Sequence, residues 1–124
     1  MESWTRNEIG HFDINFETGE GYWSFELRRM LGVRHDMPPE FHLLLQRIHP
    51  DDRRAFARTA MEPFRPDCPR HSSREFRVLH DDGRVRWLSM ERRTILRGDD
   101  SDEVVRIVGF VMEIDAPTGL LRAA

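Results

Sequence analysis

From Ile9 to Phe16 the chain alternates in period two, with Phe12, Ile14 and Phe16 on one face and His11, Asp13 and Asn15 on the other. This alternation predicts a half-buried strand. Glu17-Thr18-Gly19-Glu20-Gly21 supplies turn chemistry and Tyr22-Trp23 resumes an extended segment, so the pattern reads as a hairpin. Ser24 is an N-cap, Glu26 sits in the first turn and Gly32 follows Leu31 at the stop, which predicts a short helix over about 25–31. After the Pro38-Pro39 break, Phe41, Leu44, Leu45 and Ile48 recur at i, i+3, i+4 and i+7, a single helical stripe. Pro50 suits the first position of a further helix, and Asp51 and Asp52 favour its positive end. Phe56, Ala60 and Phe64 are the expected buried stripe of that helix, with Pro63 and Pro66 ending it near residue 65.

Beyond Cys68 the period changes. Glu75 to His80 reads as a strand, Asp81-Asp82-Gly83 as a hairpin turn, and Arg84 to Leu96 as a long return strand. A polar loop, Arg97 to Glu103, precedes a last strand from Val104 to Ile114, in which neither face is polar. Two strands, three short helices and three long strands predict an antiparallel α+β domain with its helices on one side of the sheet.

The order of these elements carries a resemblance. Gly10-His11-Phe12-Asp13-Ile14 opening a hairpin, Ser24 to Gly32 as a first helix, and Ile48-His49-Pro50-Asp51-Asp52-Arg53 resemble a PAS domain, of the fold-3 subclass in which a helix starts on "HPDDR". Glu75-Phe76-Arg77-Val78, Asp82-Gly83-Arg84-Val85-Arg86-Trp87-Leu88 and Ile107-Val108-Gly109-Phe110 follow the family pattern in the same order. The likeness runs from about residue 9 to residue 115, leaving 1–8 as an N-terminal segment and 116–124 as a tail. It implies a five-stranded antiparallel sheet in the order 2-1-5-4-3, capped on one face by helices. It also implies a sensory or protein-interaction module, of the kind attached to histidine kinases, cyclic-dinucleotide enzymes or transcription regulators. In this reading His49, Pro50, Asp51, Asp52 and Arg53 are a structural motif. The family often ends in Asp-Ile-Thr; here Glu113-Ile114-Asp115 is followed by Pro117 and Gly119, which oppose a continuous output helix.

Composition narrows the function. The 124 residues suit one domain, and 39% hydrophobic with 33% charged residues is globular. The net charge is −3, so no overall basic field invites nucleic acid. Every one of the 19 basic residues is Arg. Arg84, Arg86, Arg92, Arg93 and Arg97 crowd one hairpin, but Asp81, Asp82, Glu91 and the acidic loop from Asp99 lie alongside, and cross-strand ion pairs are the economical reading. The longest apolar run, Ile107 to Met112, is far short of the roughly 18 residues of a membrane span. With no secretory leader and one cysteine, the chain reads as a cytoplasmic domain.

Catalytic chemistry finds no support in the pattern. His35-Asp36 has no accompanying nucleotide-binding motif, and Asp99-Asp100-Ser101-Asp102-Glu103 lacks the glycine and terminal glutamate of a calcium loop. No metal site is expected. Haem is not expected either, since the helix from about 50 to 65 has no interior His, His42 lies beside the apolar stripe and Met61 reads as core filler. Flavin photochemistry would need a reactive helical Cys, whereas Cys68 sits in a Pro-flanked loop.

Two surfaces remain. Phe12, Ile14, Phe41, Leu44, Leu45, Ile48, Phe56 and Ala60 should face the space between helices and sheet. A closed core is the plainer reading of that space; incompletely packed, it becomes a pocket for a small apolar or amphipathic ligand. Val85, Trp87, Phe110 and Met112 should make the outer sheet face apolar. Trp4 or Leu120-Leu121 would cover part of that face, or a second copy would cover it, as PAS domains commonly pair there. The expectation is a non-catalytic module that senses a ligand or partner state and regulates an output domain through a homodimer. The alternative is a pure dimerisation or docking module with a closed core and no ligand.

Overall fold

The computed structural model describes residues 8–116 of the chain. Trp4, Pro117, Gly119, Leu120 and Leu121, to which the sequence assigns roles, lie outside the described residues. Strands β1 (Gly10–Asn15) and β2 (Glu20–Trp23) form the first hairpin. Helices α1 (Phe25–Leu31), α2 (Phe41–Arg47) and α3 (Arg53–Met61) follow, and β3 (His71–Leu79), β4 (Val85–Leu96) and β5 (Val104–Ile114) complete the domain. All pairings are antiparallel and the strand order is β2-β1-β5-β4-β3. The expected α+β topology is thus the observed one.

Local chemistry sets the first helix. The Ser24 hydroxyl accepts from the Leu27 N–H at 3.2 Å, and Gly32 closes the helix in the left-handed region at φ 71°. The second helical stretch differs from its expected form in two places. Ile48 is not on the α2 stripe: it is the extended residue that ends the helix, is fully buried, and bridges to Val78 of β3. The helix expected over about 50–65 is three pieces, a single 3₁₀ turn at Pro50–Asp52, α3 itself, and a second 3₁₀ turn at Glu62–Phe64. Pro50 is the first residue of one of those turns and Pro63 the second of the other, positions where a missing N–H costs nothing. As a result Phe64 is 46% exposed rather than buried.

The "HPDDR" run finishes the sheet. The His49 Nδ1 accepts from the Asp51 N–H at 3.1 Å, and the Arg53 guanidinium donates to the carbonyls of Ile48 and Gln46. The His49 N–H donates to the Arg77 carbonyl at 2.9 Å, and the Asp52 carboxylate accepts the Arg77 N–H at 3.0 Å. β3 is an edge strand, so these bonds occupy backbone groups that would otherwise be open to strand addition. The core lies between the helices and the sheet, around Met30, Leu31, Ile48, Val78 and Leu88.

Candidate functional site

Period two along β4 and β5 decides what each face of the sheet presents. Leu88, Met90, Arg92 and Thr94 of β4 and Ile107 and Val111 of β5 are buried toward the helices. Val85, Trp87, Phe110 and Met112 fall on the opposite face.

The helix side is not fully packed. A cavity of about 300 Å³ opens between the cap and the sheet. Of the eight residues expected there, Phe12, Ile14, Phe41, Leu44, Phe56 and Ala60 line it. Leu45 packs against the core without reaching the cavity, and Ile48 is fully buried within the core. The floor is Phe76, Met90, Ile107 and Val111. The rim is made of exposed apolar side chains: Phe16, Phe41, Met61 and Phe64, with Phe16 and Phe64 edge to face at 5.4 Å. Met61, expected as core filler, is 61% exposed at this rim because α3 ends there. No histidine lines the cavity; His42 lies exposed on α2, 3.5 Å from Glu40.

Arg92 is the residue that sequence reasoning misplaced. Read there as one partner in surface ion pairs, it is 6% exposed and lines the cavity. Its Nη1 donates to the Thr59 carbonyl in the last turn of α3 at 3.1 Å, while its Nη2 is buried with no hydrogen-bond partner. Glu62 Oε1 is 3.7 Å from that Nη2, beyond hydrogen-bond range, and accepts from Arg74 Nη2 at 2.8 Å. Burial holds the Arg92 pKa below the usual guanidinium value, with Glu62 opposing the shift. The signal was present in the alternation, since position 92 falls in phase with Leu88 and Met90.

Three of the other arginines of the hairpin are paired. Arg84 bonds Asp82, Arg86 bonds Glu113 at 3.1 Å on a largely buried pair, and Arg97 bonds both Glu103 and Glu17. Cys68 is partly exposed in its loop, its thiol 3.4 Å from the Pro69 carbonyl. Among the described residues no group of three or more His, Cys, Asp or Glu is placed to hold a metal. No helix among them is long and apolar enough to cross a membrane.

On the outer face Val85, Phe110 and Met112 are 46, 38 and 37% exposed. Trp87 is half-buried, its ring covered by the Arg77 guanidinium 5.3 Å from the centroid. Arg77 in turn is held by Asp52, through Nε at 3.0 Å and Nη2 at 2.6 Å. A chain of contacts therefore runs from the start of α3 around the sheet edge to the outer face.

A helix-capped sheet in this strand order, with the cavity between cap and sheet, agrees with the family comparison: a model of the PAS fold matches residues 20–111. The chain belongs to the PAS fold family. Among curated proteins it is 27% identical over 113 residues to the sensor protein FixL of Bradyrhizobium diazoefficiens, covering 86% of this chain and 20% of FixL. It therefore spans about a fifth of the length of that relative. Among solved structures, a sensory box histidine kinase/response regulator from Burkholderia thailandensis is 28% identical, with a TM-score of 0.61 over 93% of this chain and 81% of that one. The N-terminal domain of a diguanylate cyclase with PAS/PAC sensor from Marinobacter aquaeolei superposes with a TM-score of 0.70, over 86% of this chain and 94% of that one. At 22% identity that second likeness speaks for the PAS fold alone.

Proposed function

We propose that this PAS domain is a non-catalytic, cytoplasmic sensory module that takes a small apolar or amphipathic ligand between its helical cap and its sheet. Ligand occupancy biases a homodimer, which regulates an output domain such as a histidine kinase. The observation that carries this reading is the cavity of about 300 Å³, lined almost wholly by apolar side chains. Its size lies at the lower end of the range for small-molecule sites. A ligand shifts a two-state protein only by its difference in affinity for the two states, so it must touch groups that rearrange. The cap residues Phe41, Phe56 and Ala60 and the β5 residues Ile107 and Val111 are candidates for that contact, because they line the cavity while β5 carries Phe110 and Met112 on its other side. The kinship with FixL and with a histidine kinase/response regulator supports a signalling output.

A second reading, a dimerisation or docking module with no ligand, is favoured by the exposure of Val85, Phe110 and Met112 on the outer face. Native mass spectrometry with an absorbance scan of the purified chain separates the two. A retained small molecule supports sensing. A clean apo mass, with dimerisation intact and no response to apolar probes, turns the assignment to docking.

A further inference from the structure

We infer that the cavity takes an amphipathic ligand with a carboxylate head, the head accepting from the Nη2 of Arg92 and the apolar tail lying toward Phe12, Phe56 and Ile107. This rests on the ligand-binding reading above and names the ligand's chemical class.

Three observations converge on it. Arg92 is more than nine-tenths buried, lines the cavity, and keeps one guanidinium nitrogen without an acceptor. A buried donor left unsatisfied is costly, and a buried cation more so, which makes an unfilled Nη2 an exception that calls for a partner. The local charge is also unbalanced: Arg74 and Arg92 share the single carboxylate of Glu62, and that carboxylate hydrogen-bonds Arg74. One further negative group would neutralise the cluster. Finally, among the described residues Thr59 and Arg92 are the polar side chains in an otherwise apolar or aromatic lining. Such a lining suits a ligand with one polar end and a greasy body. Nη2 is closed to water in the ligand-free protein, so a carboxylate head reaches it only as the side chains around the Arg92 end of the cavity give way; once there it supplies both the missing acceptor and the missing negative charge through a charge-assisted hydrogen bond.

The volume sets the length. At roughly 30 Å³ for each water-sized group, the cavity holds about ten non-hydrogen atoms. Octanoate, with about that number, is the natural probe, and octanamide and octylamine keep its tail while removing or inverting the charge of its head.

Isothermal titration of the whole chain at neutral pH decides the matter. Octanoate should bind at least tenfold more tightly than octanamide, and octylamine most weakly. Arg92→Met should abolish that preference while leaving octanamide binding within about twofold of the unmodified protein. Glu62→Gln, which removes the internal competitor, should tighten octanoate severalfold. The ranking in the unmodified protein does not depend on any variant folding. Octanamide binding as well as octanoate, or a preference that survives in Arg92→Met, overturns the anchor while leaving a ligand cavity in place. If none of the three probes binds, and 1-octanol does not either, the ligand-binding reading itself fails and the anchor with it.

Discussion

Asp52 accepts from three donors of one residue, the Arg77 N–H, Nε and Nη2, at 3.0, 3.0 and 2.6 Å. The Arg77 guanidinium and backbone N–H hold its carboxyl below the usual carboxylate range, against the opposing effect of burial. A depressed carboxylate pKa stabilises the fold above the unfolded-state value of about 3.9, and that stability is lost as pH falls through the folded value. Asp52→Ala should therefore cost about 1.5–3 kcal/mol near pH 7, the range for hydrogen bonds to charged groups. Water reaches the partly exposed pair and favours the lower end of that range. Urea titrations should find the gap between the two proteins constant from pH 5 to 8, shrinking below about pH 4, and closed once Asp52 is protonated. A gap independent of pH would mean that the loss is one of packing. Asp13 and Arg106 make a similar fork, but Arg106 is half-exposed, and Asp13→Ala should leave stability little changed.

At the scale of elements the contact between β1, β5 and β4 leaves no room at Gly109. A Cβ there would lie 2.1 Å from the Glu91 carbonyl oxygen and 2.5 Å from the Phe12 ring, so a neighbouring strand and a core ring would both have to move. Gly109→Ala should cost about 3 kcal/mol or more, beyond ordinary overpacking because one obstacle is backbone. Gly98 has open space around it, and Gly98→Ala should change stability by less than about 1 kcal/mol. Thermal unfolding followed by circular dichroism compares the two. What was legible at this scale depended on local chemistry. Ser24 and Gly32 mark the ends of α1, and Asp82-Gly83 turns β3 into β4 because both carry their conformational reasons within a few residues. Ile48 was misread because the helical spacing continues one residue past the helix, where a bridge to Val78 overrides it. Arg92 was misread because a charged residue type suggests the surface, although its place in the strand alternation points inward. Which side chains would face the cavity was largely legible, but not that the space stays open. Its volume depends on how far the 3₁₀ turns and α3 stand from the sheet, a tertiary distance that periodicity does not encode.

For the whole molecule, β4 and β5 are a shared wall. Met90, Arg92, Ile107 and Val111 face the cavity, while Val85, Trp87, Phe110 and Met112 face outward one residue away in each strand. A homodimer through the outer face would bury Phe110 and Met112, and a charge placed there would then be left in an apolar contact. Sedimentation velocity over 1–100 µM should show a concentration-dependent dimer that Phe110→Glu with Met112→Glu weakens at least tenfold. Octanoate affinity of the resulting monomer should stay within a few fold, because neither residue lines the cavity. Coupling makes a stricter demand. Each dimer carries two cavities, so if saturating them changes the dimer dissociation constant by some factor, dimerisation must change the octanoate affinity of each cavity by the square root of that factor. Titrating octanoate into the protein well below and well above its dimer dissociation constant measures the coupling from one side, and sedimentation with and without saturating octanoate measures it from the other. Changes clearly different from one, the sedimentation ratio being the square of the per-cavity affinity ratio, would make the shared wall the transmitting element. A factor of one, with both equilibria present, would leave two independent surfaces on one sheet, and regulation by a ligand in this cavity would then require a route that does not pass through the dimer.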